Sequence, residues 1–268
     1  MQHLSLELKK LKMLHSKTKS ITLSVVSHGH AELIRALVEA LSSTSAAWIS
    51  KVVVTNNSPS SDKFSGLFRG AYSLPCEMKL IENVKPMVFG ANQNQAFRHC
   101  DTEYFCIINP DIVILQEPFD ALLQVFSQAD VGIAYPSQVD ETHLPLDFER
   151  ELATPLAVCR RHLLGQRYRQ QTGFPVDWVS GAFMVFNSSI FGRLGGFDEG
   201  YFMYCEDVDI CLRAQLAGYK LGKADATVMH RTRRRTLKSL EHLQWHVLSL
   251  LRLWRSAPYR AFKKSRNQ

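Results

Sequence analysis

Several absences narrow what this 268-residue chain does. Its six cysteines are scattered, with no Cys-x-x-Cys pair. That argues against a zinc site or a disulfide framework and fits a reducing compartment. No run approaches the roughly 18 apolar residues of a membrane-spanning helix. The N-terminus has no compact apolar stretch before a small-residue cleavage site, so no secretory signal is expected. Neither Gly-x-Gly-x-x-Gly nor Gly-x-x-x-x-Gly-Lys-Ser/Thr occurs, so the dinucleotide fingerprint and the phosphate loop are both missing.

Acidic residues are scarce at both ends. Residues 1–20 hold five lysines and one glutamate, and residues 231–268 hold eleven Lys/Arg and one glutamate. The ends therefore carry +4 and +10 of a net +7, which leaves the body between them at −7. Nucleic acid and an anionic membrane surface both suit basic ends. The membrane is the reading adopted, and no nucleic-acid partner is expected. An apolar content of 46% is enough for one sizeable core. The expected organisation is a basic tail or helix over 1–20, one domain over 21–230 and a basic amphipathic extension over 231–268.

Buried-type strands are predicted at Ile21–Ser27, Lys51–Thr55, Met78–Ile81, Tyr104–Ile108 and Val131–Tyr135. Helices are predicted at about Ala31–Leu41, Phe89–Cys100 and Gln116–Gln128. This alternation implies an α/β fold with a mostly parallel sheet. Such sheets bind ligands beyond the carboxyl ends of their strands. Small polar residues stand there: Ser27-His28-Gly29, Asn56-Asn57-Ser58 and Asn109-Pro110-Asp111. Asn-Pro-Asp is also ordinary turn chemistry. Apolar runs on both sides, however, set Asp111 at the edge of the core, where a carboxylate can hold a hard cation. Residues 137–175, with Arg150, Arg160, Arg161, Arg167 and Arg169, show no clear period.

The stretch Val176–Leu221 is the most informative. A strand (Ala182–Phe186) and a short helix (Ser188–Leu194) run to the stop at Gly195-Gly196. An aromatic loop, Phe197–Tyr204, then delivers Glu206, Asp207 and Asp209 to a helix that Gly218 closes. Val208, Cys211, Leu212 and Leu216 are expected on one face of it. Acids in a first turn complement the helix dipole, and Asp209 can pair with Arg213. Beside Tyr201, Phe202 and Tyr204, a carboxylate can also be tuned as a general base. The strand Ala226–His230 ends in a histidine, which is either a structural hydrogen-bonding group or a ligand. A helix over Leu237–Trp254 carries Trp245 and Trp254 among basic residues. Packing on the domain explains its apolar face, and a membrane interface also suits it.

Gly195-Gly196-Phe197-Asp198-Glu199, the aromatic run, Glu206-Asp207-x-Asp209, Arg213 and Gly218 together resemble the acceptor-side half of family 2 glycosyltransferases. Within that family they most resemble the bacterial rhamnosyltransferases of O-antigen assembly. The resemblance extends from Ile21 to about Trp254. It implies a GT-A type nucleotide-sugar-binding domain with a C-terminal helical extension. It also implies inverting transfer from a nucleotide sugar, dTDP-L-rhamnose above all, to an undecaprenyl-diphosphate-linked sugar. The enzyme would then be cytoplasmic and peripheral on the inner face of the membrane.

By the same resemblance Asp111 and His230 hold Mg²⁺ or Mn²⁺, and Asn109 contacts ribose or supports the metal. Asp207 is the base, with Glu206 its rival. Ser27, His28, Asn56, Asn57, Gly90, Asn92 and Asn94 line the donor site, with the helix start at Gly90–Asn94 near the diphosphate. One departure stands out. The family usually has an acid after the second strand, and this chain has Thr55-Asn56-Asn57. Two alternatives remain open: a family 2 transferase using another donor such as a UDP-hexose, and a non-catalytic membrane-binding relative.

Overall fold

A computed structural model describes residues 20–58, 75–152, 154–155, 158, 176–231 and 240–266. Strand β1 (Ile21–Ser27) is buried at every position. Ile21, Leu23 and Val25 alternate with Thr22 and Ser24, yet the polar positions are buried too, so the strand is covered on both faces. Helix α1 (Ala31–Thr44) buries Ile34, Leu37, Val38 and Leu41, the i, i+3, i+4, i+7 stripe of an amphipathic helix. Then come β2 (Ile49–Asn56), β3 (Glu77–Glu82), α2 (Phe89–Phe97) and β4 (Tyr104–Ile108). Strands β3, β2, β1 and β4 lie side by side and parallel. The register sets Ser27 opposite Asn56, and Ser24 beside Ile107. The chain therefore leaves β1, β2 and β4 along one edge of the sheet.

The second half contains β5 (Ile112–Val113), α3 (Phe119–Val125), β6 (Val131–Val139), β7 (Glu149–Arg150), β8 (Trp178–Val179), β9 (Phe183–Asn187), α4 (Ser188–Arg193), α5 (Glu206–Leu216) and β10 (Lys220–His230). The eight-stranded sheet has the order β3-β2-β1-β4-β9-β6-β10-β5, and β7 pairs with β8 apart from it. The sheet is mostly parallel, as expected, with two reversals. β9 runs antiparallel to β4 and β6, and β5 runs antiparallel to β10. Because β9 is reversed, its start meets the end of β4, with Phe183 opposite Ile108. Gly181 and Ala182 thus reach the same edge as Asn109.

Several elements differ from expectation for physical reasons. β10 begins at Lys220 rather than Ala226, because β6 pairs with it from Val131 onward. The added residues Lys220–Asp225 are mostly polar or small and only Ala224 among them is buried, so no apolar run marks them. Leu216, expected on the buried face of α5, is exposed. The expected N-terminal helix and Arg160, Arg161, Arg167 and Arg169 lie outside the described residues.

The C-terminal extension forms two helices, α6 (Leu240–Arg255) and α7 (Ala257–Arg266). Pro258 has no N–H with which to continue α6, and Ser256 Oγ accepts the Tyr259 N–H at 3.2 Å, capping a new helix. Leu250, Leu253, Tyr259 and Phe262 are buried in the same core cluster as Val208, Cys211 and Leu212 of α5. Trp254 also packs against that core, partly buried. Trp245 stacks on Phe202 with ring centroids 4.9 Å apart. Among the described residues no helix is long and apolar enough to cross a membrane.

Candidate active site

The pairing of β5 with β10 sets His230 opposite Ile112, and the Arg231 N–H donates to the Asp111 carbonyl at 3.0 Å. The two side chains meet as a result, with His230 Nε2 3.3 Å from Asp111 Oδ1. On the other side of the ring, Nδ1 lies 3.1 Å from Oε1 of the buried Gln138. A proton on Nδ1 donated to that amide oxygen leaves the Nε2 lone pair facing the carboxylate. An imidazole nitrogen beside a carboxylate oxygen, with the ring tautomer fixed from behind, is a donor set that Mg²⁺ or Mn²⁺ accepts. No third His, Cys, Asp or Glu joins them among the described residues, so phosphate oxygens and water would complete the shell. Asn109 is partly exposed beside them. Its N–H donates to Ala182 O at 2.8 Å, and its carbonyl accepts from Ile112 N at 3.2 Å.

The acid-bearing helix is reached through a strained turn. Tyr204 and Cys205 both have left-handed backbones, with φ of 72° and 67°. Such a conformation costs on the order of 1–3 kcal/mol per residue and persists only where its surroundings enforce it. Helix α6 does so at several points. Tyr204 Oη and His242 Nδ1 are 2.9 Å apart, Ser249 Oγ donates to Met203 O at 2.7 Å, and Arg252 reaches Asp198 Oδ2 at 2.8 Å. On the far side, Arg213 pairs with Asp209 at 2.7 Å, as the i,i+4 spacing predicts. Arg213 also donates to the carbonyls of Leu194 and Gly196. Gly195 and Gly196 take φ of 75° and 70°, a pair of left-handed residues that suits glycine.

Glu206 and Asp207 receive different surroundings. Glu206 is buried and its Oε2 has no hydrogen-bond partner. Burial, aided by the adjacent Asp207 charge, pushes its carboxyl up to about 8. Asp207 remains partly exposed. Its Oδ2 accepts the Gly181 N–H at 3.1 Å and its Oδ1 the Val208 N–H at 2.8 Å. Burial raises its pKa, and those two N–H groups and the Arg150 charge pull the other way. Arg150 is itself held over the Trp178 ring, 4.9 Å from the centroid, by the β7–β8 pairing. A Cβ on Gly181 would stand 3.2 Å from Asp207 Cβ, so glycine gives the carboxylate its close seat.

Adjacent residues therefore connect the two halves of the site. Gly181 binds Asp207, and Ala182 binds Asn109, two residues before Asp111. The connection through Gly181, the Gln138 support of His230 and the Arg150 charge have no motif of their own in the sequence. The aromatic Trp178 across from Arg150 is the nearest thing to a signal.

The expected donor-lining residues divide. Ser27 and His28 stand at the β1 edge, where Ser27 Oγ accepts the His30 N–H at 3.0 Å. Asn56 is buried, its Oδ1 accepting the Ser58 N–H at 3.2 Å. Asn57 and Asn92 turn their amides inward. Asn57 accepts from Asn83 Nδ2 and from Met87 N and donates to Met87 O, while Asn92 donates to the carbonyls of Met87 and Val88. Together they hold the 83–88 segment between the end of β2 and the start of α2. Asn94 clasps Phe197 through both its N–H and its carbonyl, and also binds Glu199. Gly90 lies against the Phe197 side chain. Helix α2 thus fastens the 197–199 turn from behind.

A family model described as "Glycosyltransferase like family 2" matches residues 19–245. The chain belongs to that family, and its fold is of the GT-A type. Rhamnosyltransferase WbbL of Escherichia coli (strain K12) is 27% identical over 223 residues, covering 74% of this chain and 77% of that protein. N-acetylglucosaminyl-diphospho-decaprenol L-rhamnosyltransferase of Mycobacterium tuberculosis (strain ATCC 25618 / H37Rv) is 52% identical over 50 residues, 19% of this chain and 14% of that one. Among solved structures, the mannosyltransferase PcManGT from Pyrobaculum calidifontis, in complex with GDP-Man and Mn²⁺, superposes with a TM-score of 0.59 at 18% identity. That match covers 88% of this chain, which spans 65% of the mannosyltransferase.

Proposed function

We propose that the protein transfers L-rhamnose from dTDP-L-rhamnose, with inversion, to a sugar carried on undecaprenyl diphosphate in cell-surface polysaccharide (O-antigen) assembly. The work would take place at the cytoplasmic face of an anionic membrane. The observation that carries the reading is the joining of Asp207 to the Asp111–His230 pair through Gly181 and Ala182. The rhamnosyltransferase relatives support the choice of sugar, and the decaprenol-linked acceptor named for the mycobacterial relative supports a lipid-linked acceptor.

Asp111 and His230 would hold Mg²⁺ or Mn²⁺, which when bound offsets the charge gathering on the leaving diphosphate. Asp207, oriented by two backbone N–H groups, takes the proton of the acceptor hydroxyl as its oxygen bonds to the anomeric carbon. The bond from that carbon to the diphosphate breaks on the opposite face. An inverting displacement needs no protein nucleophile. Glu206, buried behind the turn, is placed worse than Asp207 to meet a substrate.

A thermal-shift panel of nucleotide sugars, with and without Mn²⁺, tests this reading. The largest shift is expected for dTDP-L-rhamnose with metal, and its metal-dependent part should vanish in Asp111→Ala and in His230→Ala. A larger shift with a UDP-hexose would replace the donor. A metal-dependent shift that survives both substitutions would remove the pair from the metal site.

A further inference from the structure

Helix α6 is apolar on two sides. Its inner side buries Ser249, Leu250 and Leu253 against the domain. Its outer side carries Leu243, Val247 and Leu248, which are 46%, 45% and 56% exposed. Residues 243 and 247 lie one turn apart, and Leu248, further round the helix, stands at the mouth of the cavity that Leu251 and Arg252 form with the 194–198 turn. Phe202, 55% exposed, adds to this surface from the aromatic loop by stacking on Trp245. An amphipathic helix that only packed on the domain would present polar residues outward. Several large exposed apolar residues on one helix mark a contact surface.

Charge selects the partner. Over 240–266 the chain carries six Lys/Arg and one glutamate, Glu241. Arg255, Arg260, Lys263 and Lys264 are exposed. A second copy carrying the same basic extension would be repelled, whereas anionic headgroups would be attracted, by on the order of 1 kcal/mol per basic residue near the surface. Location agrees. Phe202 precedes Asp207 by five residues, and the inner side of α6 holds that loop through His242, Ser249 and Arg252.

We infer that the outer face of α6, formed by Leu243, Val247, Leu248 and the adjoining Phe202, is a bilayer-docking surface. It inserts at the headgroup boundary of an anionic membrane and sets the loop that carries the base toward the lipid-linked acceptor. This deepens the transferase reading and rests on it for the acceptor, while the docking itself does not depend on catalysis.

The test is co-sedimentation of the full chain with phosphatidylcholine vesicles with or without phosphatidylglycerol. The comparison is the triple variant Leu243→Ser, Val247→Ser, Leu248→Ser. Wild type should bind only the anionic vesicles, and the variant's bound fraction should fall about tenfold or more at an unchanged thermal midpoint. Transfer to a short soluble acceptor should stay as in wild type. Equal vesicle binding by variant and wild type would overturn the inference. So would absent wild-type binding, or a wild-type dimer that the variant converts to monomer. Transfer to the soluble acceptor is read separately, so a failed docking result leaves the transferase reading standing, and lost transfer with intact docking does the reverse.

Discussion

At the scale of single residues, neighbouring carboxyls in one helical turn receive different surroundings. Asp207 has two N–H donors and partial exposure, while Glu206 is buried with one oxygen unpartnered. Burial lifts Glu206 from the usual 4.5 to about 8, so over that interval the folded chain keeps a proton that the unfolded chain releases. Its contribution to stability is complete at low pH and is lost as pH rises through that interval. Glu206→Gln, neutral throughout, should raise the unfolding free energy at about pH 9 by on the order of 1–3 kcal/mol and change it little near pH 4. Chemical denaturation across pH checks this, and parallel pH profiles for the two proteins would contradict it. Both acids, Asp111 and His230 are legible in the sequence because each ends an apolar run or opens a helix. Gln138 and Gly181 are not. The first acts across 92 positions and the second through a backbone N–H, which every residue but proline carries. The amides of Asn57, Asn92 and Asn94 are legible as polar, but their partners within the protein are not.

Among elements, α6 shows how a terminal helix can serve a loop far from it in sequence. Ser249 is buried and its hydroxyl meets the Met203 carbonyl just before the left-handed pair Tyr204-Cys205. Ser249→Ala should cost about 1 kcal/mol of stability, since it removes a hydrogen bond to the partly buried Met203 carbonyl. On the proposal that Asp207 is the base, it should also lower kcat while leaving donor KM near wild type. Urea unfolding and steady-state kinetics check both parts, and a loss confined to donor KM would contradict the second. Strand β4 was readable because a continuous apolar run fills it, and β1 because Ile21, Leu23, Val25 and Val26 dominate a short stretch rich in β-branched residues. The two-residue strands β7 and β8 are too short for any period to appear. The reversal of β9 is a matter of topology, invisible to a reading of alternation. The separate start of α7 did have a signal, Ser256 followed two residues later by Pro258.

For the whole molecule, charge and chemistry are segregated. The acidic body holds the sheet edge with Asp111, His230 and Asp207, while the basic extension packs against it through Leu250, Leu253, Tyr259 and Phe262. The α/β class was legible because strands and helices alternate along the chain. Packing of the extension on the domain is the plain reading of its apolar face, and Leu250, Leu253, Tyr259 and Phe262 do enter the core; the break into two helices was not expected. The central claim is that Asp207 removes the acceptor proton in a glycosyl transfer. The most direct measurement is the turnover of Asp207→Asn at saturating dTDP-L-rhamnose and Mn²⁺ on a diphosphate-linked sugar acceptor, with donor affinity determined on the same preparation. The account predicts turnover lowered by about 10²–10⁴-fold with donor affinity within a few fold of wild type. Near-wild-type turnover would contradict it.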